Sequence, residues 1–263
     1  MRSFACAAAA LGLACAGAPA VTPGRAELVD LTHAFDAQTI YWPTEDGFAL
    51  ERGEAGITPG GYYYEAHRFR AAVLGGTHLD APIHFHDERW HVDEIPVERL
   101  VGPGVVVDVR TSAARDRDHQ LTVAELEAWE RQHGAIPDGA IVLIDTGFAR
   151  FWPDRVAYMG TDARGPEGVA ALHFPGLHPD AARWLAQERA VRAVGLDTPS
   201  IDHGPSKGFG AHIALCAANV AIFENVANLD TLPPRDFEVV ALPMKIRHGS
   251  GAPLRIVAIM QSR

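Results

Sequence analysis

Three histidines and an aspartate fall within nine positions of the stretch "VLGGTHLDAPIHFH", residues 73–86. They are His78, Asp80, His84 and His86. Imidazole and carboxylate suit zinc or manganese, and water on such an ion becomes a nucleophile near neutral pH. In extended chain, His78 and Asp80 point to one face, so one metal can touch both. Leu74 is also at an even offset and is expected on that face, where it brings no ligand atom. Gly75 and Gly76 remove side-chain bulk before the motif and permit unusual backbone angles. Pro82 stiffens the exit and keeps Ala81 extended, which returns His84 to the same neighbourhood. With an ordinary pKa of about 6.5, His84 suits proton transfer at neutral pH. His86 reads as a solvated neighbour.

Such groups need a rigid frame, and the chain supplies the pieces of one. Short β-branched runs bounded by Gly, Pro or Asp read as buried strands at 105–109, 140–147, 190–198, 220–223, 237–244 and 254–260. Between them, "LTVAELEAWERQHG" reads as a helix. Thr122 and Glu125 fit a capping box, and Gly134 follows the last turn. "HPDAARWLAQER" reads as a second, with Pro179 in its first turn. Strands mixed with helices on this scale predict an α/β fold in one domain. There is no internal repeat and no low-complexity linker. Asp145 and Asp197 end strands, where capping a turn is their expected work. Among the remaining histidines only His173, in "LHFPG", is placed at a pocket wall.

The composition is that of a globular protein of 263 residues, 48% hydrophobic and 21% charged, with a formal net charge of −10. No basic patch stands out, which argues against a nucleic-acid partner. Residues 1–20 read as an export signal. Arg2 precedes an apolar Ala-rich run, and Ala18-Pro19-Ala20 gives an A-x-A cleavage pattern. The mature domain is then 21–263, periplasmic or secreted, with no membrane association once the signal is cut. It keeps one of the three cysteines, Cys216, so it has no internal disulfide. Cys216 sits in an apolar helical context, as a buried inert thiol would.

The stretch "GTHLDAPIHF" resembles the signature of the cyclase-like metal-dependent hydrolases, which include bacterial kynurenine formamidases and isatin hydrolases. Their pattern H-x-G-T-H-x-D-x-P-x-H-F is intact here from Gly76 through Phe85. Further segments match in family order, namely "LVDLTHAFD", "IYWP", "DTPSIDHGPSK", "AHIAL…FEN" and "LPMKIRHGSG", and the later ones look closer to isatin hydrolases. The resemblance implies a swivelling β/β/α architecture, with a mixed sheet or barrel-like core flanked by helices. It implies that His78 and Asp80 bind metal together with His212 and Glu224, and that His84 carries the proton. It also implies substrate contacts at Trp42 and, in the 197–207 loop, at His203 and Ser206, although capping that loop fits the last two equally well. His212 and Glu224 are twelve residues apart, too awkward a spacing for one helix to aim both at one ion. A short helix over "AHIALCAAN" and a strand over "VAIFEN" let them converge.

One position departs from the pattern, since the first motif histidine falls on Leu74. A single Mn2+ or Zn2+ ion is therefore expected rather than two. The implied activity is metal-dependent hydrolysis of an amide C–N bond, with a small cyclic amide such as isatin preferred. An N-formyl aromatic amide is the alternative substrate, and a binding protein weakened in catalysis at Leu74 is the alternative class. The resemblance further implies a homo-oligomer, a dimer first.

Overall fold

The computed structural model describes residues 26–260, so the segment read as an export signal lies outside the described residues. The strands are β1 (Glu27–Asp30), β2 (Ala49–Ile57), β3 (Tyr63–Arg70), β4 (His78–Asp80), β5 (Val101–Asp108), β6 (Gln120–Leu121), β7 (Ile141–Asp145), β8 (Gly176–Leu177), β9 (Ala193–Leu196), β10 (Ala221–Glu224), β11 (Phe237–Pro243) and β12 (Gly251–Met260). Seven of them close on themselves in the order β12-β11-β5-β7-β9-β10-β4 and back to β12. Closure depends on the length of β12. One of its edges pairs with β11, while the other pairs with β4 through Gly251–Pro253 and with β1 through Val257–Met260. The barrel-like core expected from the resemblance is therefore present.

The barrel strands β5, β7, β9 and β10 are largely buried on both faces, which is why they read as continuous apolar runs rather than alternating ones. Val106, Ile141, Leu143, Ala193, Phe223 and Leu79 pack with Val239, Leu254 and Ile256 from β11 and β12 to fill the interior. Their neighbours Val105, Val107, Val142, Ile144, Val194 and Ile222 face outward. Against that outer face pack three helices, and the helices in chain order are α1 (Arg110–Arg115), α2 (Val123–His133), α3 (Arg155–Met159), α4 (Gly165–Ala170), α5 (Pro179–Glu188) and α6 (Gly210–Ala217). Leu126 and Trp129 of α2, Leu185 of α5 and Leu215 and Cys216 of α6 supply the contacts. The capping box at Thr122 and Glu125 forms in both directions, and Gly134 ends α2 at φ 88°. No helix among the described residues is long and apolar enough to cross a membrane.

Two expectations need correction. Chain over 71–77 is not extended, because Gly76 sits at φ 58° and only His78–Asp80 joins the sheet. The even-offset argument therefore holds for His78 and Asp80 alone, and Leu74 reaches the same cavity through the turn rather than through extended chain. The turn is forced where Gly75 lies flat against the Tyr41 ring. A Cβ at position 75 would stand 2.1 Å from a Tyr41 ring carbon. The second correction is an addition. β2 and β3 pair into a two-stranded ribbon that the sequence reading left without structure.

Candidate metal centre

The register of β4 against β10 builds the site. Glu224 lies opposite His78, and Ile222 opposite Asp80. Leu79 and Phe223 between them point into the barrel, so His78, Asp80 and Glu224 share the outer, helix-covered face. On that face α6 delivers His212 from its first turn. The two-element convergence expected of His212 and Glu224 is what the chain does.

All four side chains are buried. His78 Nε2 stands 3.2 Å from Asp80 Oδ1 and 3.3 Å from Glu224 Oε2. His212 Nε2 stands 3.3 Å from both Asp80 Oδ2 and Glu224 Oε1. These separations are long for charge-assisted hydrogen bonds, which run about 2.7–2.9 Å. They suit donors that share an ion, since ligands roughly 2.0–2.2 Å from one metal lie about 3.0–3.5 Å from each other. Asp80 Oδ1 is buried and takes part in no hydrogen bond among the described residues. An orphaned carboxylate oxygen facing two imidazoles and a second carboxylate is the donor set of a divalent cation, and the residues fit one.

The supporting contacts point the same way. His78 Nδ1 contacts the Gly76 carbonyl at 2.9 Å, and His212 Nδ1 contacts Asp202 Oδ2 at 2.7 Å. Each contact places the proton on Nδ1 and frees the Nε2 lone pair for a metal. Asp202 also accepts the N–H groups of Ala211 and His212, so it fixes the start of α6 and the ring together. Glu224 Oε1 accepts the Ile201 N–H at 2.8 Å.

Charge is balanced by protons in the protein alone. Burial pulls the His78 imidazole down, but Asp80 and Glu224 outweigh it and push the pKa up to about 10. His212 is raised well above its ordinary value in the same way, against burial and through Asp202, Asp80 and Glu224. Asp80 is held below the usual carboxylate range, since His78 and His212 prevail over its burial. A metal must displace these protons to bind.

A cavity of about 470 Å³ opens over the cluster. Its walls are apolar, with Trp42, Ala72, Val73, Leu74, Phe85 and Phe209 among them, and His84 stands between wall and floor. Burial lowers the His84 pKa, with Asp80 pulling the other way, so the ring is neutral at neutral pH and free to accept a proton. One ring nitrogen of His84 is also within 4.8 Å of donors on Asp80 and His212, near enough to reach the same ion.

Trp42 is half-buried and lines the cavity. His203 and Ser206 do not line it. The Ser206 N–H donates to the His203 carbonyl, and Ser206 Oγ accepts the Phe209 N–H at 3.3 Å. These contacts hold the loop before α6 in shape. His173 pairs with Asp118 on the surface, away from the cavity wall. The reading of single residues missed Asp202 and Phe209. Asp202 lies inside a segment whose only signal was resemblance, and Phe209 carries no signal in its type or spacing.

Comparison with known proteins places the fold and the chain in a family. The Cyclase family profile matches residues 29–203. The chain is 32% identical over 251 residues to isatin hydrolase of Roseibium aggregatum, covering 90% of this chain and 93% of that one. It is 28% identical over 238 residues to kynurenine formamidase of Bacillus thuringiensis, covering 88% and 96%. The solved structure of isatin hydrolase A from Labrenzia aggregata, bound to benzyl benzoate, superposes with a TM-score of 0.81 at 33% identity, over 90% of this chain and 94% of that one. A protein of Bacillus stearothermophilus described as a predicted metal-dependent hydrolase matches with a TM-score of 0.62 at 26% identity, over 89% and 98%. With the fold, the motif and the buried donor set in agreement, the chain belongs to the Cyclase family of metal-dependent hydrolases.

Proposed function

We propose that the protein hydrolyses the C–N bond of a small, flat amide, with a cyclic amide such as isatin or a relative preferred. The observation that carries the reading is the buried ring of donors on His78, Asp80, His212 and Glu224 at the floor of an apolar cavity with neutral His84 beside it. These four would hold one Mn2+ or Zn2+ ion, which when bound supplies Lewis-acid polarisation of a carbonyl and acidifies water. The chain's own residues do the rest. Trp42, Leu74 and Phe85 exclude bulk water and give a flat ring its contact surface. His84 accepts a proton from the attacking water and returns it to the leaving nitrogen. Turnover of isatin against N-formylkynurenine, with added Mn2+ or Zn2+, tests the reading. Faster turnover of the formyl compound moves it to an arylformamidase.

A second reading rests on Leu74, an aliphatic side chain where the family pattern has a histidine. On that reading the scaffold binds its ligand without converting it. Tight binding of isatin with no product would establish it. The proposal extends to location. Export to the periplasm or beyond follows from the signal-like residues 1–20, and N-terminal sequencing of the exported protein should begin near Val21. A cytoplasmic protein retaining Met1 would refute that part alone.

A further inference from the structure

Phe209 stands in the left-handed region, at φ 47° and ψ 40°. An L side chain of this size is disfavoured there, and glycine is the residue that adopts it without penalty. The local sequence is Gly208-Phe209-Gly210, so glycine is plentiful on either side. Gly210 has a packing reason of its own, because a Cβ there would lie 2.6 Å from the Pro179 ring. The one position of the three that the backbone would give to glycine holds a phenylalanine. Strain kept at a cavity wall points to what the side chain does.

The ring is the outer end of an aromatic column. Its centroid is 5.2 Å from that of Phe85, tilted at 40°, and Phe85 in turn stacks on the ligand imidazole of His212 at 4.3 Å. Phe209 is half-buried, lines the cavity and belongs to none of the three core clusters. The helix that follows does not need the ring. The start of α6 is held by the Asp202 carboxylate on the Ala211 and His212 N–H groups, and the Phe209 N–H is taken by Ser206 Oγ.

We infer that Phe209 is a specificity-determining residue, held in a strained backbone so that its ring presents an aromatic surface to the π-face or edge of an aryl-bearing substrate. This rests on the amide-hydrolase reading above and adds to it the residue that distinguishes an aryl amide from an alkyl one. A structural residue would behave differently. Glycine at 209 relieves the backbone while removing the whole side chain, and leucine keeps the strained backbone without the ring, so a substrate role and a packing role separate.

The test compares wild type, Phe209→Gly and Phe209→Leu, all loaded with metal. Two substrates that share an α-keto lactam C–N bond are used, isatin and the unfused five-membered lactam pyrrolidine-2,3-dione. In Phe209→Gly, KM for the fused substrate should rise about tenfold, the scale of one lost aromatic contact and its buried area. Its kcat should stay within about twofold and its KM for the unfused lactam should scarcely move, as expected when uniform binding is lost. Metal content should be unchanged and Tm no lower than in Phe209→Leu, which keeps the strain and loses the ring. Loss of metal, a Tm below that of the leucine variant, or equal change for both substrates would overturn the inference. If wild type turns over neither amide, the hydrolase reading fails by itself. Calorimetric binding of isatin and of the unfused lactam to wild type and Phe209→Gly then decides the role of Phe209. A preference for isatin that disappears in the variant supports it, whereas no preference in wild type, or the same preference in both, overturns it.

Discussion

At the scale of single residues, the proposed function divides the site into groups that would hold an ion and one that would move protons. His84 is beside the cluster, half-buried and neutral. His84→Ala should lower turnover by about 10²–10⁴-fold, the usual cost of losing general acid–base help, while metal content stays near that of wild type. Its ring is within reach of the same ion as Asp80 and His212, so the metal assay is the deciding measurement. Stoichiometric loss of metal would make His84 a ligand. Asp202 acts through another residue. Asp202→Asn removes the carboxylate that grips His212 Nδ1 and should weaken metal binding roughly 10–100-fold, read by competition with a chelator. Unchanged affinity would mean that Asp202 serves only to cap α6. His78, Asp80 and His84 were legible in the sequence because ligand-type residues at short spacing are a local signal. His212 and Glu224 were legible through resemblance. Asp202 and Phe209 were not, because their roles arise from a long-range contact and from a backbone angle.

At the scale of elements, the strands of the barrel were legible because burial on both faces leaves a plain apolar run. The ends of those runs carry a further consequence. Asp145 closes β7, where its Oδ1 accepts the Gly147 N–H, and Asp197 follows β9, where it accepts Thr146 and Ala149 N–H groups. Both cap turns, as expected of them. Burial and the neighbouring Asp197 push the Asp145 pKa up to about 7, against the pull of Arg110. The folded state thus keeps a proton that the unfolded chain releases above about pH 3.9. That stability is present in acid and is lost as pH rises from about 4 through about 7. Asp145→Asn is neutral throughout, so its urea midpoint should vary less with pH across that window. Parallel curves for variant and wild type would show that Asp145 titrates normally. The β2–β3 ribbon was not legible, because its strands face solvent on both sides and so lack the apolar alternation that marks a half-buried strand. The motif turn over 71–77 was misread for a related reason. Its shape is set by the Tyr41 ring pressing on Gly75, and only the fold brings those two together.

At the scale of the whole molecule, that ribbon is a feature that packs on no other strand or helix among the described residues. A two-stranded ribbon is marginal by itself in water. This one joins no core cluster and leaves Ile57 72%, Tyr62 63% and Tyr63 60% exposed. Leu50, Tyr64 and Phe69 are exposed with them. An apolar surface of this kind marks an interaction site more often than a bare face. Its charge says what would cover it. The ribbon carries Glu51, Glu54 and Glu65 against Arg52, Arg68 and Arg70, so it is neutral in a chain of net charge −10. Most other faces of two copies repel, whereas two ribbons meet without that penalty and can pair acid to base about a two-fold axis. The occupant proposed is therefore a second copy of the chain. Light scattering of the purified protein at micromolar concentration should give twice the chain mass. Ile57→Glu combined with Tyr63→Glu should give a monomer that keeps its metal, because the ribbon supplies none of the four ligands. Raising salt should change the dimer little, since its core is apolar and its charges only set the register. A wild type that is monomeric at that concentration, or a double variant that remains dimeric, would sink the proposal.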